Sequence, residues 1–243
     1  MARILVTGST GQLGRPTVSL LREAGHDVRG FSRSSDGDLT TGAGVAEALD
    51  GVDTLVHLAH VPSTSLFDAA VGAGVRHTVL ISIVGIDDIP LAYYRQTRAI
   101  ERGLVESGLP HSILRSTQFH SFVEAVFRAQ RFSPVLIAPA FSFQPIAVGE
   151  VAARLAELAI GAPQGRVPDI GGPEKSTALE LGQEWKSAVG AHRPLLRVAL
   201  PGATMRGFAA GHNLVPGTPY GRGTFAEYLG LPENSGPGVA PTG

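Results

Sequence analysis

Apolar residues along the first half of the chain follow two alternating rhythms. Short strand patterns begin with Arg3-Ile4-Leu5-Val6 and recur at Asp27–Phe31, 53–59, 78–82 and 111–115; the nearly unbroken apolar run at 53–59 predicts a buried parallel strand. Between them the apolar positions fall three or four residues apart. Val18, Leu20, Leu21 and Ala24 form one such face, which Gly25 is placed to end. Val45, Ala46 and Leu49 form a second, and Leu66, Phe67, Ala70 and Val71 a third. A long helix is expected over 91–107, with Tyr93, Thr97, Ile100 and Leu104 on one face and Arg95, Arg98, Glu101 and Arg102 spread around it. Repeated strand–helix alternation predicts an α/β fold with a doubly wound parallel sheet, whose ligands lie outside the carboxyl ends of the strands.

Two regions break the rhythm. The connection Ser34-Ser35-Asp36-Gly37-Asp38-Leu39-Thr40-Thr41-Gly42 is too polar and glycine-rich for a full buried strand, so a third strand is expected to be vestigial. Beyond the run at 111–115 the alternation lapses. Phe119-His120-Ser121-Phe122 opens an apolar helix, and Phe141-Ser142-Phe143-Gln144-Pro145 reads as a turn-rich aromatic patch. Val151, Leu155 and Leu158 mark another helix, and Leu181 and Trp185 one more. The simplest organisation is a single domain over 1–230, with a small C-terminal, substrate-facing lobe over roughly 118–230 partly built on the same sheet. Residues 231–243 cannot bury apolar surface and are expected to be mobile.

Composition narrows the partners. A net charge of −1 without a basic run gives no electrostatic basis for nucleic acid or an anionic membrane. With no cysteine there is no disulfide, thiolate nucleophile or cysteine-ligated zinc, which is compatible with a reducing compartment. The N-terminus enters a strand at once, and no apolar run reaches membrane-spanning length. The expectation is a soluble cytoplasmic protein with a small-molecule substrate.

The chemistry concentrates after the first strand, in Thr7-Gly8-Ser9-Thr10-Gly11-Gln12-Leu13-Gly14. In this strand, glycine turn and helix, Gly8 takes backbone angles closed to other residues, Gly11 lets a pyrophosphate approach the main chain, and Gly14 lets the helix pack close to the strand. Free N–H groups at the helix start, with the dipole behind them, favour bound phosphate. The spacing G-x-x-G-x-x-G is one residue wider at its start than the usual dinucleotide fingerprint. At the end of the second strand, where an acid binds the 2′-hydroxyl of NAD and an arginine the 2′-phosphate of NADP, the chain reads Ser32-Arg33-Ser34. Arg33, with Arg15 just after the third glycine, points to NADP(H), with NAD(H) as the alternative through Asp36 or Asp38. His57 and His60 end the strand at 53–59, but no third ligand stands nearby, so no metal is expected.

The chain resembles the atypical short-chain dehydrogenase/reductase proteins of the NmrA-like, NAD(P)H-binding kind. The resemblance rests on the glycine turn, Gly37-Asp38-Leu39, Val56-His57-Leu58-Ala59, Ile81-Ser82-Ile83-Val84-Gly85, the tyrosine helix, Leu114-Arg115-Ser116-Thr117-Gln118-Phe119-His120, Phe143-Gln144-Pro145 and Gly171-Gly172-Pro173-Glu174. It implies a Rossmann fold with Gly8, Gly11 and Gly14 at the pyrophosphate, Arg33 near the 2′-phosphate, Asp38 and Leu39 near adenine, and Leu58 and Ala59 beside the cofactor; Thr10, Gln12 and Leu13 complete the turn. It also implies a catalytic serine at a strand end and a Tyr-x-x-x-Lys pair on the next helix. Ser82 and Tyr93 fit two of these positions; the lysine position is Thr97. The lysine would lower the tyrosine pKa, and an unperturbed phenol, with a pKa of about 10, is only about one part in a thousand ionised at pH 7. Tyr94 and Arg98 keep the same spacing one residue on, about 100° around the helix.

The expected activity is NADP(H)-dependent reduction of a small or medium apolar carbonyl or related unsaturated compound, with Tyr93 as proton donor, Ser82 orienting the substrate, and Phe119, His120, Phe141 and Phe143 lining its pocket. Two alternatives stand beside it: a dinucleotide-binding redox sensor without turnover, and a redox-neutral cyclase or isomerase on the same fold. The long helix leaves both homodimer and monomer open.

Overall fold

The computed structural model describes residues 1–33, 37–61 and 64–230. Ser34, Ser35, Asp36 and the tail at 231–243 lie outside the described residues, and with them the expectation of a mobile tail. The alternating half consists of β1 (Arg3–Thr7), α1 (Gly14–Glu23), β2 (Asp27–Phe31), α2 (Val45–Leu49), β3 (Thr54–His57), α3 (Thr64–Gly72), β4 (His77–Ile83), α4 (Ala92–Glu106) and β5 (His111–Ser116). There follow α5 (His120–Arg128), β6 (Leu136–Pro139), β7 (Ser142–Phe143), α6 (Val148–Ile160), β8 (Gly165–Arg166), β9 (Ser176–Thr177), α7 (Ala178–Val189), β10 (Leu195–Val198), α8 (Ala203–Ala209) and α9 (Phe225–Gly230).

The central sheet runs β2-β1-β3-β4-β5-β8, parallel throughout. This is the Rossmann arrangement, with no strand beyond β2 among the described residues. Where such a strand would lie, the described residues hold an isolated bridge between Asp38 and Ala43. Thr7 stands opposite both Phe31 and His57, so three strand ends open at one level.

Each strand divides its side chains between two layers, as the two-residue period requires. Ile4, Val6, Val56, Val79, Ile81 and Leu114 face α1 and α6. Leu5, Leu55, Leu80 and Ile113 face α2, α3 and α4. Helix α6, read from sequence as part of the C-terminal lobe, therefore completes one face of the main sheet through Val151, Leu155 and Leu158. The other C-terminal elements gather around Val123, Phe127, Leu136, Leu181 and Trp185, with Phe127 stacked on Trp185 at 5.9 Å. Buried Gln144 ties them to the sheet: its Nε2 donates to the Gly172 carbonyl at 2.9 Å, and its Oε1 accepts from the Val215 amide at 2.8 Å.

Helix α4 buries Thr97, Ile100 and Leu104 of the expected face and departs from it at Tyr93. Its buried residues are Tyr94, Thr97, Ile100, Glu101 and Leu104, whereas Tyr93 is 44% exposed. The cause is a charge network. Glu101 accepts from Arg115 Nε at 2.8 Å and from its NH2 at 2.6 Å, and Arg115 NH1 donates to Asp87 at 2.6 Å. Arg98, from the next turn, also reaches Asp87, at 3.2 Å. Pinning Glu101 to β5 turns Tyr94 inward and Tyr93 toward the rim. No helix among the described residues is long and apolar enough to cross a membrane.

Candidate functional site

The glycine turn closes the end of β1 onto its neighbours. Gly8, at φ +71°, donates its N–H to the Phe31 carbonyl at 3.0 Å, and Gly11 donates to the Gly8 carbonyl at 3.0 Å. A Cβ on Gly14 would lie 2.1 Å from the Gly8 oxygen and 2.7 Å from Ser9 backbone atoms, so only glycine allows this approach. Helix α1 starts from Leu13 without a side-chain cap, and among the described residues the amides of Gln12 and Leu13 have no hydrogen-bond partner. Such orphan donors on a helix dipole suit anionic oxygen, and the turn fits a dinucleotide pyrophosphate on these grounds.

Two cavities meet at Gly8. The smaller, about 190 Å³, is lined by Thr10, Arg33, Asp38, Leu39 and Ala59 among others, and so brings together the residues assigned to the adenosine end. The Asp38 carboxyl is held below the usual range by hydrogen bonds from Thr40, its amide above all, with Arg33 adding a weaker pull. Arg15 is elsewhere. Its Nε donates to the Thr10 carbonyl at 2.9 Å, so it braces the turn and lines neither cavity.

The larger cavity, about 350 Å³, runs from Gly8, Gly11, Gln12, Leu13 and Gly14 past Leu58, His60 and Ser82 to Tyr93, Tyr94, Gln118, Phe119, Phe122 and Phe208. Among the described residues, no lysine, arginine, aspartate or glutamate lines it. Ser82 is 1% exposed, and its Oγ is buried with no hydrogen-bond partner. The Tyr93 ring packs against His60 at 5.0 Å. Tyr94 Oη accepts from Gln118 Nε2 at 3.3 Å, and its ring meets Phe208 at 6.1 Å. Both tyrosines thus reach one cavity, Tyr93 from its rim and Tyr94 from its wall, despite the rotation between them.

The place of the family lysine holds no cation. Thr97 is buried and donates its hydroxyl to the Tyr93 carbonyl at 3.1 Å, while Arg98 is engaged with Asp87. Burial raises the pKa of both phenols, with Gln118 opposing this in part at Tyr94, and burial lowers that of His60. The site is therefore neutral at pH 7. His57 lies behind it, wholly buried, with Nδ1 2.7 Å from Thr7 Oγ1, and burial pushes its pKa down to about 3.

Of the four expected pocket residues, Phe119 lines this cavity. Phe141 stacks on Phe208 at 4.8 Å and Phe143 meets Phe122 at 6.3 Å, so both support rings that do the lining. His120 lines a separate 710 Å³ cleft with Ser121 and Tyr228. Residues without an assigned role in the sequence reading are Gln118, Phe122 and Phe208. Gln118 and Phe122 flank residues singled out from sequence, but Phe208 comes from α8 and carried no signal.

The comparisons agree with this geometry. The model of the NAD dependent epimerase/dehydratase family matches residues 4–79, from β1 to the start of β4. The (4-alkanoyl-5-oxo-2,5-dihydrofuran-3-yl)methyl phosphate reductase of Streptomyces griseus is 30% identical over 216 residues, covering 79% of this chain and 75% of that protein. Among solved structures, an NADPH-dependent quinone oxidoreductase from Escherichia coli superposes with a TM-score of 0.73 at 21% identity, covering 93% of this chain and 98% of the other. Triphenylmethane reductase from Citrobacter sp., complexed with NADP(H), gives a TM-score of 0.67 at 18% identity, covering 88% and 92%. Sequence kinship over most of the chain, a parallel sheet with the expected strand order and a glycine turn between β1 and α1 make this chain a member of the atypical short-chain dehydrogenase/reductase family of NAD(P)-binding proteins.

Proposed function

We propose that the protein is an NmrA-like reductase that uses NADP(H), with NAD(H) as a weaker alternative, to reduce a small or medium uncharged carbonyl or conjugated unsaturated compound. The observation that carries this reading is the Ser82 hydroxyl, buried without a partner in the wall of a cavity that begins at the free amides of the glycine turn and that no charged side chain among the described residues lines. A carbonyl oxygen would satisfy that hydroxyl, and the apolar lining excludes water. The reductase names of the relatives support the same reaction class.

The residues divide the work as follows. The Gln12 and Leu13 amides would hold the pyrophosphate, and Arg33 the 2′-phosphate, with Asp38, Leu39 and Ala59 around the adenosine. When bound, the nicotinamide would supply the hydride. Ser82 donates a hydrogen bond to the substrate oxygen as negative charge develops there. Tyr93, kept protonated by burial, donates its phenolic proton to that oxygen. Without a lysine to favour tyrosinate, alcohol oxidation is disfavoured relative to carbonyl reduction.

The test is NADPH oxidation by purified protein against a panel of ketones, enals and quinones. Tyr93→Phe and Ser82→Ala should each lower kcat by about a hundredfold, within the usual range for a positioned acid or oxyanion donor. An unchanged rate in Tyr93→Phe refutes its role as acid. The buried, cation-free environment of Thr97 also favours a second reading, a dinucleotide-holding redox sensor. Saturable NADPH binding with no hydride transfer across the panel would select it.

A further inference from the structure

Ser82 is not alone in being unmet. Gln118 Oε1 is also buried without a hydrogen-bond partner, while the nitrogen of the same amide is spent on Tyr94 Oη at 3.3 Å. Both residues line the 350 Å³ cavity, and they come from the ends of neighbouring strands: Ser82 stands opposite Arg115 in the β4–β5 register, and Gln118 follows β5 by two residues. The backbone around Gln118 is clamped. Its carbonyl accepts from the Ile146 amide at 3.0 Å, the preceding Thr117 amide donates to Ile170 at 3.0 Å, and Thr117 Oγ1 donates to the Gln144 carbonyl at 2.5 Å.

A buried carbonyl left without a donor costs about 1–3 kcal/mol, so a cavity wall that keeps one is prepared for a ligand that supplies the donor. The two unmet groups ask for opposite things. The Ser82 hydroxyl has a proton to give, and the Gln118 carbonyl needs one to accept. A plain ketone or quinone offers only acceptors, and would meet Ser82 while leaving Gln118 stranded. A carboxylate or phosphate would find no cation in this lining.

We propose that Gln118 determines specificity by accepting a hydrogen bond from a hydroxyl or N–H beside the reacting carbonyl, so that the preferred substrates are uncharged hydroxy-carbonyl or carboxamide-bearing compounds. The assignment of the carbonyl as the reacting group rests on the reductase reading; the donor requirement rests on Gln118. The amide is held in place by Tyr94, which remains free to donate its own phenolic proton into the cavity. Sites built around a substrate donor reject the analogue lacking it far more strongly than apolar pockets reject a missing methylene.

The test uses two neutral probes of the same skeleton, propiophenone and 2-hydroxypropiophenone, in two separate arms. In the first, calorimetry on the full chain saturated with NADP⁺ gives a dissociation constant for each probe without requiring turnover. The hydroxy ketone should bind at least about tenfold more tightly. In Gln118→Leu, and in Gln118→Met as a second variant should the first fold poorly, that preference should fall to within about threefold, with NADP⁺ affinity retained. Equal affinities in the parent protein, no binding of either probe, or a preference that survives both substitutions overturns the proposal. So does loss of NADP⁺ binding in the variants with the preference intact, which would assign Gln118 to the cofactor. The second arm follows NADPH oxidation. Binding preference without turnover of either probe refutes the reductase reading and leaves the role of Gln118 standing; turnover of both with equal kcat/KM refutes the role of Gln118 and leaves the reductase.

Discussion

Replacing Glu101 with leucine tests how much the buried network under α4 contributes to stability. Arg115 has a side chain 7% exposed, and Glu101 supplies two of its three carboxylate hydrogen bonds, at 2.6 and 2.8 Å. Removing one partner of a buried pair costs about 3–5 kcal/mol, because the remaining charge is left uncompensated. Here Asp87, at 41% exposed, stays as a partial partner, which places the expected loss near the low end, at about 3 kcal/mol. With a urea slope of about 1–3 kcal/mol/M, the midpoint should fall by at least about 1 M. Glu101→Leu combined with Arg115→Met removes both charges and keeps apolar volume, so it should recover much of the loss. Arg154→Ala, which breaks an exposed pair with Glu157, is the control and should stay within about 1 kcal/mol of the parent. A Glu101→Leu protein as stable as the parent, or a double variant as unstable as the sum of its singles, would refute the reasoning.

Four further outcomes follow from the same geometry. Gly14→Ala forces the turn open by roughly 1 Å and should weaken NADPH binding by about tenfold, the worth of one charge-assisted hydrogen bond, as read by NADPH fluorescence titration. Gly11→Asp, which sets a carboxylate against the pyrophosphate, should abolish that binding, and retained affinity would show that the turn does not hold the cofactor. His57 has a folded pKa of about 3 against 6.5 when unfolded, so the unfolded chain takes up a proton that the native one refuses; stability present above pH 6.5 should be lost on acidification at about 1.4 kcal/mol per pH unit, and His57→Gln should flatten that part of a pH–stability profile. Gln144→Leu strands the Gly172 carbonyl and the Val215 amide and should cost about 2–4 kcal/mol in urea unfolding, with little change if water replaces the lost amide.

Much of the scaffold was legible because it is local. The strand Asp27–Phe31 has the bounds read for it from sequence, and the polar stretch after it holds no full strand in its described part. The glycine turn was readable because Gly8 and Gly14 answer to backbone geometry within seven residues of each other. What escaped depends on partners distant in sequence. Glu101 read only as one of the charges spread around α4, yet it is buried where Arg115 arrives from β5. The aromatic residues at Phe141 and Phe143 were the right chemistry one layer too deep, since Phe208 and Phe122 stand in front of them. His120 was drawn to the cavity by its neighbour Phe119, but the first turn of α5 points it to the opposite side, against Phe225 and Tyr228.

At the edge of the central sheet, the outer N–H and C=O groups of β2 pair with no strand among the described residues. An open edge of this kind is a template on which another chain can build. The sequence of β2 works against such growth: it is only five residues long, it places Asp27 and Arg29 on its exposed positions, and Gly30 weakens its tendency to extend. Arg29 goes further, donating to the carbonyls of Glu47 and Ala48 at 3.1 and 2.9 Å and so holding the end of α2 against the strand. The residue that guards the bare edge of the sheet against aggregation is thus the same one that fastens down the helix beside it.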